Sequence, residues 1–293
     1  MSPLPLRFGV VLLPEDRWSV MRERWQAAER YGFDHAWTYD HLTWRMFRDS
    51  PWFGAVPTLT AAALATERIR VGTLVASPNF RHPVPFAKEV MTLDDIAGGR
   101  LTLGLGAGGE GWDATALGQE AWSARERADR FEEFVTLLDR LLVQPETSYE
   151  GRFYSADEAR ALPGCVQQPR VPFAIAAGGP RGMRLAAGLG STWVTLDGRG
   201  AGRDQLERVE GFCREAGRDP ATLDRLVLTG FARNPIGSVA EFEDAASEYA
   251  EAGFTDFVVH WPREGDPFPG NRAVFERIVA DVVAPAAVAG SAR

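Results

Sequence analysis

Cysteine is nearly missing from this 293-residue sequence, and the two present, Cys165 and Cys213, are far apart and in no metal-ligand spacing. That excludes a disulfide framework and a cysteine-based zinc site, and no metal site is expected. Long apolar runs are missing too. No stretch reaches the roughly 18 apolar residues of a membrane span, and Met1-Ser2-Pro3-Leu4-Pro5 lacks a basic-then-apolar leader. A cytoplasmic location without a membrane partner is therefore expected. Positive charge is scarce relative to negative: 32 basic residues, of which only Lys88 is a lysine, face 40 acidic ones, a net charge of −8. Nucleic acid and anionic membrane, which favour a basic face, are unsuitable partners. No low-complexity linker divides the chain. What remains is a soluble globular composition, 45% hydrophobic and 25% charged, able to bury a large core.

The most informative stretch is 69–108. Ile69-Arg-Val-Gly-Thr-Leu-Val-Ala-Ser77 and Arg100-Leu-Thr-Leu-Gly-Leu-Gly-Ala-Gly108 are apolar runs flanking a helical segment closed by Gly98-Gly99. Strand, loop, helix and strand in that order make a right-handed parallel crossover. The pattern repeats along the chain, with strands expected at 6–13, 34–39, 69–77, 100–108, 171–177, 191–196, 225–231 and 256–261, each followed by a helix. Ser123-Ala-Arg-Glu126 and Ser238-Val-Ala-Glu241 read as capping boxes that start two of those helices. Eight such units close most naturally into one α/β domain over 1–285, a (β/α)8 TIM barrel. A doubly wound open sheet is the alternative, but it would need edge strands that the sequence does not show. Residues 144–170, after the fourth helix, break the rhythm with a short hairpin and loop, expected to pass over one mouth of the barrel. The Ala- and Gly-rich tail 286–293 is expected to fray.

In such a barrel the chemistry lies at the carboxyl ends of the strands. Asp40-His41 ends the second strand; the histidine is either an acid/base group tuned by its neighbour or a structural residue. Glu110, beyond the fourth strand, is a second acid or a solvated loop carboxylate. Gly104-Leu-Gly-Ala-Gly-Gly-Glu-Gly111 is no dinucleotide fingerprint, because no helix follows at once and no ribose-binding acid is evident. Its bare backbone suits close approach of a planar ring, or simply a flexible loop. Gly178-Gly-Pro-Arg-Gly182, between a strand and a helix start, is either a phosphate cradle or a plain turn. Trp44, Trp112, Trp261 and other mouth-loop aromatics are candidates for an apolar pocket or a subunit interface, and His260 is a further pocket candidate.

Together, Ile69-Arg-Val-Gly-Thr73, Arg81-His-Pro83, Leu93-Asp-Asp-Ile-Ala-Gly-Gly-Arg-Leu101, Gly104-Leu-Gly-Ala-Gly108 and Pro172-Phe-Ala-Ile-Ala-Ala-Gly-Gly179 resemble the bacterial luciferase-like superfamily of flavin- and deazaflavin-dependent oxidoreductases. The resemblance covers nearly the whole chain. It implies a commonly dimeric barrel holding a flavin-type ring against a non-prolyl cis peptide at Leu74-Val75, with Ala76, Gly106 and Gly108 beside it. It further implies a phosphate loop at Gly178, Gly179, Pro180 and Arg181. Asp40-His41 followed by Trp44 looks like the branch that binds coenzyme F-420, an 8-hydroxy-5-deazaflavin. There the aspartate contacts the cofactor, the histidine does acid/base work and the tryptophan packs near the substrate; Glu110 stands one residue beyond the branch's usual carboxylate. The implied activity is hydride transfer between reduced F-420 and a partly apolar small molecule. FMN-dependent monooxygenation, with a separate reductase, is the alternative. A non-catalytic flavin-binding barrel and a phosphate-binding lyase or isomerase are readings of other classes.

Overall fold

The computed structural model describes residues 4–44, 47–199 and 202–290. Eight parallel strands close into a barrel: β1 (Arg7–Val11), β2 (His35–Thr38), β3 (Arg70–Ala76), β4 (Leu101–Leu105), β7 (Phe173–Ala176), β8 (Thr192–Leu196), β9 (Asp224–Leu228) and β10 (Asp256–His260). Each pairs with its sequence neighbours, and β10 closes on β1 with Val11 opposite His260. Closure removes the edges that a doubly wound sheet would have, so the barrel is correct. The helices are α1 (Trp18–Arg30), α2 (Ala55–Ala65), α3 (Pro83–Ile96), α4 (Trp112–Thr115), α5 (Ala124–Val143), α6 (Pro180–Leu189), α7 (Arg203–Glu215), α8 (Val239–Ala252), α9 (Arg272–Ile278) and α10 (Ala284–Gly290). None of the described helices is long and apolar enough to cross a membrane.

Two apolar layers hold this together. Strand residues pointing outward, such as Phe8, Val10, Leu103 and Phe257, pack under the helices, whereas Trp37, Tyr39, Leu74, Val194 and Val258 fill the barrel interior. The strands are buried on both faces, which is why they read as continuous apolar runs. α5 starts at the expected capping box, with Ser123 accepting from the Glu126 N–H and Glu126 from that of Ser123. At α8 only half of the box forms: Ser238 accepts from the Glu241 N–H, but the Glu241 carboxylate takes the Ser238 hydroxyl instead of its amide.

The 144–170 excursion contains the expected hairpin, β5 (Glu146–Glu150) and β6 (Ser155–Arg160), and its Gln167 bonds Arg70 and the Leu101 carbonyl at the amino ends of β3 and β4, away from the carboxyl-terminal mouth. Two carboxylates anchor it, the half-buried Glu133 of α5, which accepts from the amides of Phe153 and Tyr154, and the buried Asp94 of α3, which accepts from both the backbone and side chain of Gln167. The tail is helical to Gly290, because its alanines favour helix and Ala287 packs within reach of Gly32. Residues 291–293 of that tail lie outside the described set.

Candidate active site at the carboxyl ends of the strands

A cavity of about 1060 Å³ opens at the carboxyl ends of the strands, lined by the tips of β2, β3, β4, β7, β8 and β9 and the loops that follow them. Its floor is set by β3. The Leu74–Val75 peptide bond is cis, and the β3–β4 register slips between Thr73 and Ala76. Leu74 and Val75 both line the cavity. Gly106 makes room for this: a Cβ there would come 2.5 Å from the Val75 side chain. Ala76, expected beside the ring, instead faces the helices, fully buried in the outer layer. Successive strand side chains alternate faces, which puts Ala76 outside.

Gly106 and Gly108 line the cavity, as do Gly178, Gly179, Pro180 and Arg181. A Cβ on Gly178 or Gly179 would meet nothing within 4 Å, so the backbone leading into the ten-residue α6 is open to a ligand. The Arg181 guanidinium turns toward α5, where it contacts Asp129 at 2.5 Å and Glu132 at 2.7 Å. This bond holds the Asp129 carboxyl below its usual range. The main-chain N–H groups and helix dipole, more than Arg181, therefore give this end of the cavity its positive potential.

At the end of β2 the two expected partners separate. Asp40 is buried and does not line the cavity; Arg81 grips both its oxygens, at 2.6 and 2.8 Å. It fixes the β3–α3 loop, and no hydrogen bond joins it to His41 among the described residues. The carboxylate bonded to His41 is Asp113, through Nδ1. Asp113 is buried, and its other oxygen accepts from the amides of Leu42 and Thr43 at 2.8 and 3.1 Å. Trp52 donates to the His41 carbonyl at 3.0 Å. His41 is thus locked from two sides, and its ring faces the cavity.

Trp44 lines the cavity within an aromatic stack with Phe47 and Phe268. Trp112 stands at the rim, capped by Arg48 at 3.8 Å, and Glu110 is exposed there in an ion pair with Arg127. His260 and Trp261, expected in the pocket, do not line it. His260 lies buried behind Tyr39, and Trp261 points outward onto Tyr31 and Phe275.

Sequence reasoning missed Asp113, Tyr39 and Arg81. Asp113 and His41 are 72 residues apart, so no local spacing could pair them. The structure also suits a polar planar ligand with a phosphorylated arm. Ser77 and Thr43 line the cavity, and both hydroxyls are buried without a protein partner, the state of groups built to receive one. Among the described residues no cluster could hold a metal ion.

Comparisons with known proteins agree with this geometry. The model of the luciferase-like monooxygenase family matches residues 5–278. An F-420-dependent glucose-6-phosphate dehydrogenase of Microbacterium testaceum is 34% identical over 237 residues, 79% of this chain and 70% of that protein. An F-420-dependent hydroxymycolic acid dehydrogenase of Mycobacterium tuberculosis is 32% identical over 228 residues, 76% of this chain and 62% of that protein. The chain spans between about half and 70% of the curated relatives it matches. Among solved structures, the coenzyme F-420-dependent tetrahydromethanopterin reductase of Methanopyrus kandleri superposes with a TM-score of 0.73 at 20% identity, over 96% of this chain and 99% of that one, a likeness of fold.

Proposed function

The chain belongs to the luciferase-like monooxygenase family, and from that membership we propose that it is an F-420-dependent oxidoreductase acting on a small, partly apolar organic molecule. The observation that carries the catalytic part of this reading is the His41–Asp113 pair facing a cavity floored by the β3 tip and walled by open glycine backbone. Leu74, Val75, Gly106 and Gly108 would flank the ring, and Gly178, Gly179 and Pro180, with Arg181 near by, would hold the phosphorylated arm. When bound, a deazaflavin supplies a site for hydride exchange at its central carbon.

The protein's own residues do the rest. Asp113 accepts from the Nδ1–H of His41, which leaves Nε2 as the bare nitrogen of the neutral ring. That nitrogen takes a proton when substrate is oxidised and, as imidazolium, returns one when substrate is reduced. The amides of Leu42 and Thr43 fix the carboxylate, so the ring cannot rotate away from the cavity. Trp44 and Trp112 give the substrate side an apolar wall that excludes water and favours a partly apolar molecule. An intact His41–Asp113 pair also speaks for an enzyme over a passive flavin carrier.

We further place the protein in the cytoplasm, in keeping with its two free buried cysteines. It would act there as a homodimer. α2 carries no charged residue, and its Leu64 is 73% exposed, which suits a self-contact.

The test is to titrate the purified protein with F-420 and with FMN, following absorbance, and then to measure F-420 reduction with a panel of alcohols and sugar phosphates. Micromolar binding of F-420 and turnover with at least one alcohol are expected. Selective FMN binding with oxygen consumption would replace this reading with monooxygenation, which needs a separate reductase.

A further inference from the structure

Beside the His41–Asp113 pair stands a second hydrogen-bonded pair, a tyrosine in the cavity wall with a histidine behind it, that the proton chemistry of His41 does not use. Tyr39, just beyond β2, lines the cavity beside His41 and Trp44, with ring centroids 6.2 and 5.0 Å apart. Its hydroxyl lies 2.7 Å from Nε2 of His260, the last residue of β10. That imidazole is enclosed. Phe268 stacks on it at 3.4 Å, and Phe231 meets it edge-on at 5.8 Å. The charge that acts on it is a cation, Arg263, itself clamped by Glu15, and among the described residues no carboxylate bonds to the ring. Burial pushes its pKa down to about 3, so at neutral pH the ring carries one N–H and one bare nitrogen.

Which nitrogen is bare follows from acidity. A phenol is a stronger acid than a neutral imidazole N–H, so the Tyr39 hydroxyl donates to Nε2 and the ring proton sits on Nδ1. Nδ1 is buried and makes no hydrogen bond of good geometry among the described residues, the Thr229 main chain being the polar group that acts on the ring. On its side lies a separate cavity of about 30 Å³, walled by Thr229, Gly230, Asn234 and Pro269. That is room for one water, with enough polar neighbours to hold it. Gly230, at φ +102°, keeps the approach open, since a Cβ there would stand 3.1 Å from Nδ1.

The consequence reaches the substrate. With its proton given to His260, Tyr39 has only lone pairs to offer. Resting on the oxidoreductase reading, we propose that Tyr39 binds substrate as a hydrogen-bond acceptor, positioned by His260 and one buried water. The preferred substrate then carries a second donor, a hydroxyl or amino group, beside the carbon that exchanges the hydride. His41 serves the reacting oxygen, and Tyr39 serves its neighbour.

Two measurements test this. In protein carrying nitrogen-15 histidine, His260 should be neutral with its proton on Nδ1 from about pH 5 to 8, and Tyr39→Phe should shift the Nε2 resonance. A proton on Nε2 would overturn the proposal, because the hydroxyl would then be a donor. Separately, F-420 reduction by propane-1,2-diol should exceed that by propan-2-ol by about tenfold in kcat/KM. Tyr39→Phe should bring that ratio to about one, and His260→Gln should lower it. An equal ratio in the parent protein and Tyr39→Phe would also overturn the proposal. Failure of every alcohol would count against the oxidoreductase reading, whereas the nitrogen resonances decide the acceptor at Tyr39 by themselves.

Discussion

Two histidine–aspartate pairs stand at opposite ends of β2, and they do opposite work. At the amino end, His35 places Nε2 2.9 Å from Asp256 and accepts from the Trp37 indole through Nδ1 at 2.6 Å. Asp256 is further held by Arg7 at 2.6 and 2.8 Å. Every hydrogen-bonding position of the ring is filled, and the barrel is plugged there by a neutral imidazole in a closed network. At the carboxyl end, His41 spends only Nδ1, on Asp113, and its ring fronts a large cavity. The pairing is therefore no sign of catalysis by itself. The unspent nitrogen and the open space beside it make the difference.

Substitution should separate the two pairs cleanly. His41→Ala should lower kcat about 10²- to 10⁴-fold, leave F-420 affinity nearly unchanged and leave the melting temperature close to that of the parent. Losses of equal size in kcat and affinity would show that His41 only shapes the pocket. Asp256→Ala should do the reverse, costing roughly 1–3 kcal/mol of stability, because it strands the buried His35 imidazole, whereas the half-exposed Arg7 keeps Asp224 as a partner. Denaturant unfolding measures that cost directly, and a loss below about 1 kcal/mol would mean that the amino-end network is worth no more than a surface ion pair.

Acid sharpens the contrast. His35 and Arg7 outweigh the cost of burial and hold the Asp256 pKa down to about 2. The folded value is below the unfolded one, near 3.9, so the stabilisation is complete above about pH 4 and is lost as pH falls through 2. His260 adds an earlier phase. Its ring is held neutral with a pKa of about 3, whereas the unfolded chain protonates it near 6.5, so stability declines as pH drops below about 6.5. Unfolding midpoints measured from about pH 7 to 2 should therefore fall in two stages, with His260→Gln removing the first and Asp256→Asn the second. A flat profile above pH 4 would refute the neutral His260.

The same contrast explains what could be read in the sequence. The eight units were legible because strand and helix periods alternate cleanly and Ser123 marks a true helix start. Val75, Gly106, Gly108, Gly178 and Gly179 were legible as cavity lining because small residues and strand ends are local features, whereas Leu74 entered only through the family resemblance. Asp113 was not, since its partner is joined to it only by closure of the barrel. Asp40 misled because adjacency to His41 in the chain says nothing of direction: consecutive residues at a strand end point to opposite sides. The same alternation sends His260 inward and Trp261 outward, and separates Ala76 from Val75. The path of the excursion was not legible because its anchors, Glu133 and Asp94, are charged residues within helices that look solvated in one dimension.

The smallest expected effects lie in the glycines. Gly106→Ala would drive a methyl to within 2.5 Å of Val75, so the β3 tip must shift. Gly179→Ala meets nothing within 4 Å, and its φ of −113° suits any residue. Both variants should weaken F-420 binding, but for different reasons. The first should also lower stability, by about 1–3 kcal/mol as overpacking does. The second should be neutral in stability within about 0.5 kcal/mol, its methyl occupying only open space in which the phosphorylated arm is proposed to lie. Paired isothermal titrations and unfolding curves separate the two. If Gly179→Ala binds F-420 as tightly as the parent, the arm does not lie along the start of α6, and only the β3 and β4 tips would remain as the cofactor's seat.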